Sequence, residues 1–181
     1  MGPPEPEQRF EELYLAHYPA IATYVRRRSG SPDDIADVIA ETFTTAWRRL
    51  NDVPEGDGAR LWLYGVARRT LANHFRGEER RAALAVRLRE EITTWVNPVT
   101  GAESAYEAFK RLSDDDRELL ALVAWEGLGG AEIAKVLGCS RGAARLRLHR
   151  ARKRLAKELT RLDPDLTRSG QRAAVPAKGR S

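Results

Sequence analysis

The sequence predicts an all-α protein built as two small helical domains joined by a linker, and three observations carry that expectation. Apolar residues recur at helical spacing along most of the chain, no strand signal competes, and helix starts of the Ser-Pro-Asp or Ser-Asp type punctuate it. Residues 77–103 change character. GEERRAALAVRLREEITTW has modest helix propensity, and NPVTG then breaks the pattern. The expected division is a disordered lead-in over 1–9, a first domain over 10–80, a linker over 81–103, a second domain over 104–162 and a disordered tail over 163–181.

Taken in order, Phe10, Leu13, Tyr14, His17, Ile21, Tyr24 and Val25 keep a helical rhythm to Ser29. Pro19 lacks a backbone N–H, so a break or kink is expected there. The run Arg26, Arg27, Arg28 suits the negative end of a helix dipole. Ser31-Pro32-Asp33-Asp34 opens a second helix whose apolar face carries Ile35, Val38, Ile39, Phe43, Ala46, Trp47 and Leu50. Asp33, Asp34, Asp37 and Glu41 fall opposite. Asp37 and Glu41 lie too far along to be explained by helix-start chemistry, which leaves either a solvated face or a docking surface.

NDVPEGDG, residues 51–58, is a loop of turn formers. The helix expected over 59–76 sets Trp62 and Phe75 among Arg60, Arg68, Arg69, His74 and Arg76. Aromatics interleaved with Arg suit single-stranded nucleic acid, where rings stack on bases and guanidinium groups hold the backbone; the same rings also suit a core. After the linker, helical pattern resumes from Ser104, and Ser113-Asp114-Asp115-Asp116 starts another helix, ended by Gly127.

The segment from Ala131 to Leu159 reads as helix, tight turn and long basic helix. Gly138 suits a left-handed helix end and Ser140 an N-cap, in the register of a helix-turn-helix whose second helix enters the DNA major groove. At about 100° per residue, Ala144, Leu148, Ala151 and Leu155 form an inward stripe. Leu146, His149, Arg150 and Lys153 lie opposite, with Arg145 and Arg147 on the flanks and Arg141 at the start. Leu146 could meet a thymine methyl, and a neighbouring Arg could donate two hydrogen bonds to a guanine edge.

The 181 residues carry a net charge of +5, 42% hydrophobic and 31% charged side chains. Charge distribution says more than the total. Residues 141–161 hold nine Lys or Arg and one Glu, against the acidic block near the start, so two different partner surfaces are expected. Cys139 is the sole cysteine, which excludes an intrachain disulfide and fits a reducing compartment. Neither a signal peptide nor a membrane span is evident, so no membrane insertion and a cytoplasmic location are expected. His17, His74 and His149 are far apart, without metal spacing, and no phosphate loop or Gly-x-Ser-x-Gly occurs. The expectation is a protein with no catalytic residue, metal or cofactor.

The chain resembles bacterial RNA polymerase sigma factors of the extracytoplasmic-function type. FEELYLAHY, DDIADVIAETFTTAW and RLWLYGVARRTLANHFR are similar to the family's region 2, and LGCSRGAARLRLHRARKRL is similar to region 4. The resemblance implies core RNA polymerase and promoter DNA as partners. Asp33, Asp34, Asp37 and Glu41 would dock on the clamp helices of the polymerase's largest subunit. Trp62, Arg68, Arg69, Asn73, His74 and Arg76 would hold and open the −10 element, with a flipped base captured near residues 51–58. Arg141, Arg145, Leu146, Arg147, His149, Arg150 and Lys153 would serve the −35 element. Many members are held by an anti-sigma factor, and no residue here identifies one.

Arg69 and Asn73 stand where the family's −10 helix often has Asn and Asp. Ala143, Ala144 and Leu146 replace its common Thr, Val and Ser on the recognition helix, and Ala36 and Ala40 replace polar residues on the clamp-binding helix. Promoter sequence is therefore open. Two other classes compete: an operator-binding regulator, which leaves the acidic and Trp/Arg helices without a role, and a protein-binding helical module, for which the basic helix is incidental.

Overall fold

The structure, a computed structural model, describes residues 5–29, 31–74 and 101–164. Seven α-helices and one short 3₁₀ turn make up the described residues, with no strand among them. They are α1 (Pro6–Arg26), α2 (Pro32–Arg48), the 3₁₀ turn Leu50–Asp52, α3 (Asp57–His74), α4 (Gly101–Lys110), α5 (Asp114–Ala124), α6 (Gly130–Leu137) and α7 (Arg141–Leu162). Phe75, Arg76, most of the expected linker and the tail beyond Pro164 lie outside the described residues.

One expectation for α1 is corrected. The helix begins at Pro6, inside the stretch read as lead-in, because Pro6 occupies a position whose N–H needs no partner and Glu7 sits near the positive helix end. Arg9 then ties this turn down by donating from Nη2 to the Val53 carbonyl at 3.1 Å. Of the two outcomes expected at Pro19, two helices or one, α1 is one helix that runs through it. Phe10 and Leu13 before it, and Ile21, Ala22, Tyr24 and Val25 after it, pack on the same core and hold both segments in one element.

The face of α2 follows the sequence pattern. Ser31 Oγ accepts from the Asp34 N–H at 3.3 Å, and Val38, Ile39, Phe43 and Ala46 are buried. Trp47 is the exception, 43% exposed at the end of the apolar face and held edge-on to Phe10 with ring centroids 5.2 Å apart. α3 packs on both α1 and α2 and buries Leu61, Leu63, Tyr64, Val66, Ala67 and Leu71.

In the second half α4 starts at Gly101, inside the expected linker rather than at Ser104. α5 opens on a Ser113 cap that accepts from the Asp116 N–H at 3.3 Å. Glu132 accepts from the Gly129 N–H at 2.8 Å at the head of α6. Gly138 ends that helix at φ 63°, ψ 39°, a conformation that a Cβ disfavours. Cys139 N–H returns to the Ala134 carbonyl at 3.0 Å, and Ser140 Oγ accepts from the Ala143 N–H at 3.2 Å to start α7. The turn of the helix-turn-helix is thus closed by local hydrogen bonds on both sides.

The two halves share one core. Tyr24, Val25, Leu63, Tyr64 and Leu71 belong to the same buried cluster as Leu119, Leu122, Ile133, Val136 and Leu148. α3 packs against α6 across the junction. A smaller cluster, Phe109 and Leu112 with Leu120, Trp125 and Leu155 against it, closes the far side of the second half.

Candidate nucleic-acid interface

α7 presents the cationic face. Ala144, Leu148 and Ala151 are buried, while Arg141, Arg145, Arg147, His149, Arg150 and Lys153 are all exposed. None of these six pairs with a carboxylate among the described residues. Leu146 is 49% exposed between them, an apolar side chain left uncovered on a polar face. Arg154, further along, is instead held by Asp116, whose two oxygens accept from Nη1 at 2.8 and 2.7 Å. The residues expected to serve the −35 element are therefore brought together on α7, with Arg147 and Arg150 also lining a cleft shared with Arg68 of α3.

On α3, Trp62, Arg69 and Asn73 fall within about 40° of one another at 100° per residue, whereas Arg68 is turned roughly 100–140° away. Trp62 is half-buried against the core, and the Arg49 guanidinium lies over its ring at 5.9 Å from the centroid. Arg69 and Asn73 are exposed. Arg68 reaches Asp115 of α5 at 3.5 Å, and His74 Nε2 lies 2.9 Å from Glu41 Oε2 on α2. Arg76 lies outside the described residues.

A cleft of about 390 Å³ opens beside this helix. Arg9, Glu12, Leu13, Ala16 and His17 of α1 form one wall, and Leu50, Val53, Pro54, Glu55, Gly56 and Asp57 the other. Burial, with the Arg60 cation adding to it and Asp57 opposing, holds the His17 imidazole below its ordinary pKa. The α1 wall was missed in the sequence, where Arg9 fell in the lead-in and His17 counted only as helical rhythm.

The acidic face of α2 is intact. Asp33, Asp37 and Glu41 are exposed and Asp34 is half-buried at the cap. An aromatic row joins α1 to α2: Tyr14 is 36% exposed, with its ring 4.7 Å from Phe43 and 5.1 Å from Tyr18. No helix among the described residues is long and apolar enough to cross a membrane, and no group of three or more His, Cys, Asp or Glu among them could hold a metal ion.

Known proteins match both halves. The model of sigma-70 region 2 matches residues 13–81 and that of sigma-70 region 4 matches residues 102–155. The ECF RNA polymerase sigma factor SigF of Caulobacter vibrioides is 31% identical over 143 residues, spanning 78% of this chain and 80% of that protein. The probable RNA polymerase sigma-C factor of Mycobacterium bovis is 33% identical over 140 residues, spanning 75% and 72%. Among solved structures, CnrH in complex with the cytosolic domain of CnrY is 28% identical with a TM-score of 0.55, covering 83% of this chain and 86% of that one. With region 2 in its first half and region 4 in its second, the chain belongs to the extracytoplasmic-function sigma factors of the sigma-70 family.

Proposed function

We propose that the chain binds core RNA polymerase through Asp33, Asp34, Asp37 and Glu41 on α2, places α3 on the −10 element and α7 on the −35 element, and so selects promoters for initiation. The observation that carries this reading is the pairing, in one chain, of an unneutralised cationic recognition face with an exposed acidic face. A DNA-binding module alone has no use for the second, and an adaptor none for the first. Exposed Tyr14 and Trp47 border the acidic face and extend the docking surface with apolar area. In this reading residues 10–80 and 104–162 act as separate DNA-engaging units, the chain does no covalent chemistry of its own, and it works in the cytoplasm.

The cleft between α1 and residues 50–59 has room for an extruded base, with Arg9, Glu12 and His17 offering donors and acceptors to its edge. Trp62, Arg69 and Asn73 lie along the path of the opened strand, and Arg49 joins them through its contact with Trp62. Arg145 and Arg150 are placed for guanine edges or phosphates and Leu146 for a thymine methyl. Reconstitution with core polymerase on a randomised promoter library, followed by transcript-start mapping, tests the reading. Starts at one fixed distance from a paired −10 and −35 motif support it; no start above the core-only background overturns it.

A further inference from the structure

A second cleft, of about 320 Å³, lies among α3, α5 and α7, at the small end of the roughly 300–1,000 Å³ usual for ligand pockets. Arg68 of α3 and Arg147, Arg150 and Arg154 of α7 line it. Only two carboxylates, Asp115 and Asp116 of α5, stand against these four guanidinium groups in the lining. Asp116 is buried and occupied by Arg154, its two oxygens accepting from Nη1 at 2.8 and 2.7 Å. Asp115 is largely exposed and meets Arg68 only at 3.5 Å. Arg147 and Arg150 have no carboxylate partner among the described residues. Arg68 keeps its Nε buried and without a hydrogen-bond partner among them, a donor that folding leaves unsatisfied.

The walls of this cleft are firmly set. Arg28, fully buried, donates from Nε to Glu118 Oε2 at 2.9 Å and from Nη1 to Glu126 Oε1 at 3.0 Å, which ties the end of α1 to α5 and the turn after it. A Cβ on Gly65 of α3 would lie 3.1 Å from the Val136 carbonyl oxygen of α6, so these two helices meet closely. The guanidinium groups of α3 and α7 are thereby gathered before any ligand arrives, which lowers the cost of binding one.

The rest of the lining decides the chemistry. Leu119 and Leu137 are its apolar part, and no aromatic ring among the described residues lies on it to stack a base. Arginine forks take phosphate oxygens in pairs, and a single phosphate on one wall would leave the cations of the other unmet. From this geometry we infer that the cleft binds a polyphosphate chain, inorganic or carried on a nucleotide, with Arg68 at one end and Arg147 and Arg150 at the other. The exposed Asp115 yields Arg68 to it. The site goes beyond the sigma-factor reading and does not depend on it. One consequence does rest on that reading: the bound chain and the −35 element compete for Arg147 and Arg150.

Isothermal titration of the full chain with sodium tripolyphosphate, ATP and orthophosphate, at one fixed ionic strength, tests the site. Tripolyphosphate should bind one-to-one, and orthophosphate about tenfold more weakly or worse. Tighter binding of ATP would support the site with a nucleotide as the source; equal or tighter binding of tripolyphosphate would support it with the free chain. Arg68→Gln and Arg150→Gln should each weaken tripolyphosphate binding about tenfold, as one charge-assisted contact is lost. Arg141→Gln and Lys153→Gln remove the same charge from α7 outside the cleft, and screening should hold their effect to less than about twofold. Arg141 and Arg150 are both exposed, so that comparison stands even where Arg68→Gln fails to fold. Equal weakening by Arg141→Gln and Arg150→Gln would mean diffuse attraction to a basic helix and overturn the site. Orthophosphate bound as tightly as tripolyphosphate, or no saturable binding of any of the three, would overturn it too. A promoter duplex titrated into the loaded chain should release tripolyphosphate, and a chain that holds both at once would overturn the competition. A chain that binds no duplex would count against the sigma-factor reading, while the titrations still decide the site.

Discussion

Glu41 and His74 join α2 to the end of α3 in the first half: the carboxylate meets the imidazole at 2.9 Å. Glu41 belongs to the proposed polymerase surface and His74 to the proposed −10 helix. Both groups are partly exposed, so the pair itself contributes at most about 1 kcal/mol to stability. Its value lies in fixing where α3 ends relative to the acidic face. Asp37→Lys should lower affinity for core by about tenfold, equivalent to about 1.4 kcal/mol, with the melting temperature unchanged. Glu41→Lys should do the same and also weaken promoter opening. Titration against immobilised core gives the affinity, and an unchanged value for Asp37→Lys would remove α2 from the interface.

Trp62 is half-buried, so its truncation acts twice. Trp62→Ala should lower the melting temperature through lost packing and reduce strand opening through lost stacking, the latter about 1–3 kcal/mol per base. Permanganate footprinting on duplex and pre-melted promoters separates the two. Partial rescue on the pre-melted template is expected. Normal opening with a lowered melting temperature would make Trp62 a core residue only.

His17 gives the base cleft a pH dependence. Its pKa is lowered in the folded chain, so the unfolded chain binds the proton more readily. The associated stability is fully present above the ordinary value of 6.5 and is lost as pH falls below it. The melting temperature should decline over that window, and His17→Gln should flatten the decline. An equal decline in His17→Gln would place the titration elsewhere.

The helix-turn-helix was legible because its signals are local. A Gly at a left-handed C-cap, a Ser N-cap and the Ala144, Leu148, Ala151 stripe are each set within a few residues, and all of them appear as expected. Arg28 was not legible. In a run of three arginines after a helix it reads as dipole compensation, and its partner Glu118 lies 90 residues away with no periodic relation to it. At Pro19 the sequence left open two helices or one bent one, and core packing on both sides of it accompanies one helix. Trp47 and Tyr14 share the apolar angle of their helices, but the neighbouring elements leave their outer edges uncovered, which periodicity does not reveal.

On α7, base reading and backbone holding should separate by substitution. Arg145→Ala should cost about 1–3 kcal/mol at a single −35 position if its guanidinium takes a guanine edge. Lys153→Ala should weaken binding evenly across sequences and flatten the salt dependence. A selection of randomised −35 duplexes with each holoenzyme variant reads both, and identical profiles for the two variants would deny Arg145 a role in sequence reading.

The central claim is that this chain recognises promoters as part of RNA polymerase and not by itself. One small helix-turn-helix makes few base contacts, and tight specific binding by such modules normally comes from paired half-sites. Core polymerase would instead hold both halves on one promoter, so that two weak sites act at high effective concentration. The most direct measurement is a mobility shift on one promoter duplex across a salt series, with the free chain and with the chain plus core. Weak, steeply salt-dependent binding by the free chain is expected, converted by core into tight, sequence-specific binding. Nanomolar sequence-specific binding by the free chain, with core adding nothing, would contradict the claim and make the protein an operator-binding regulator.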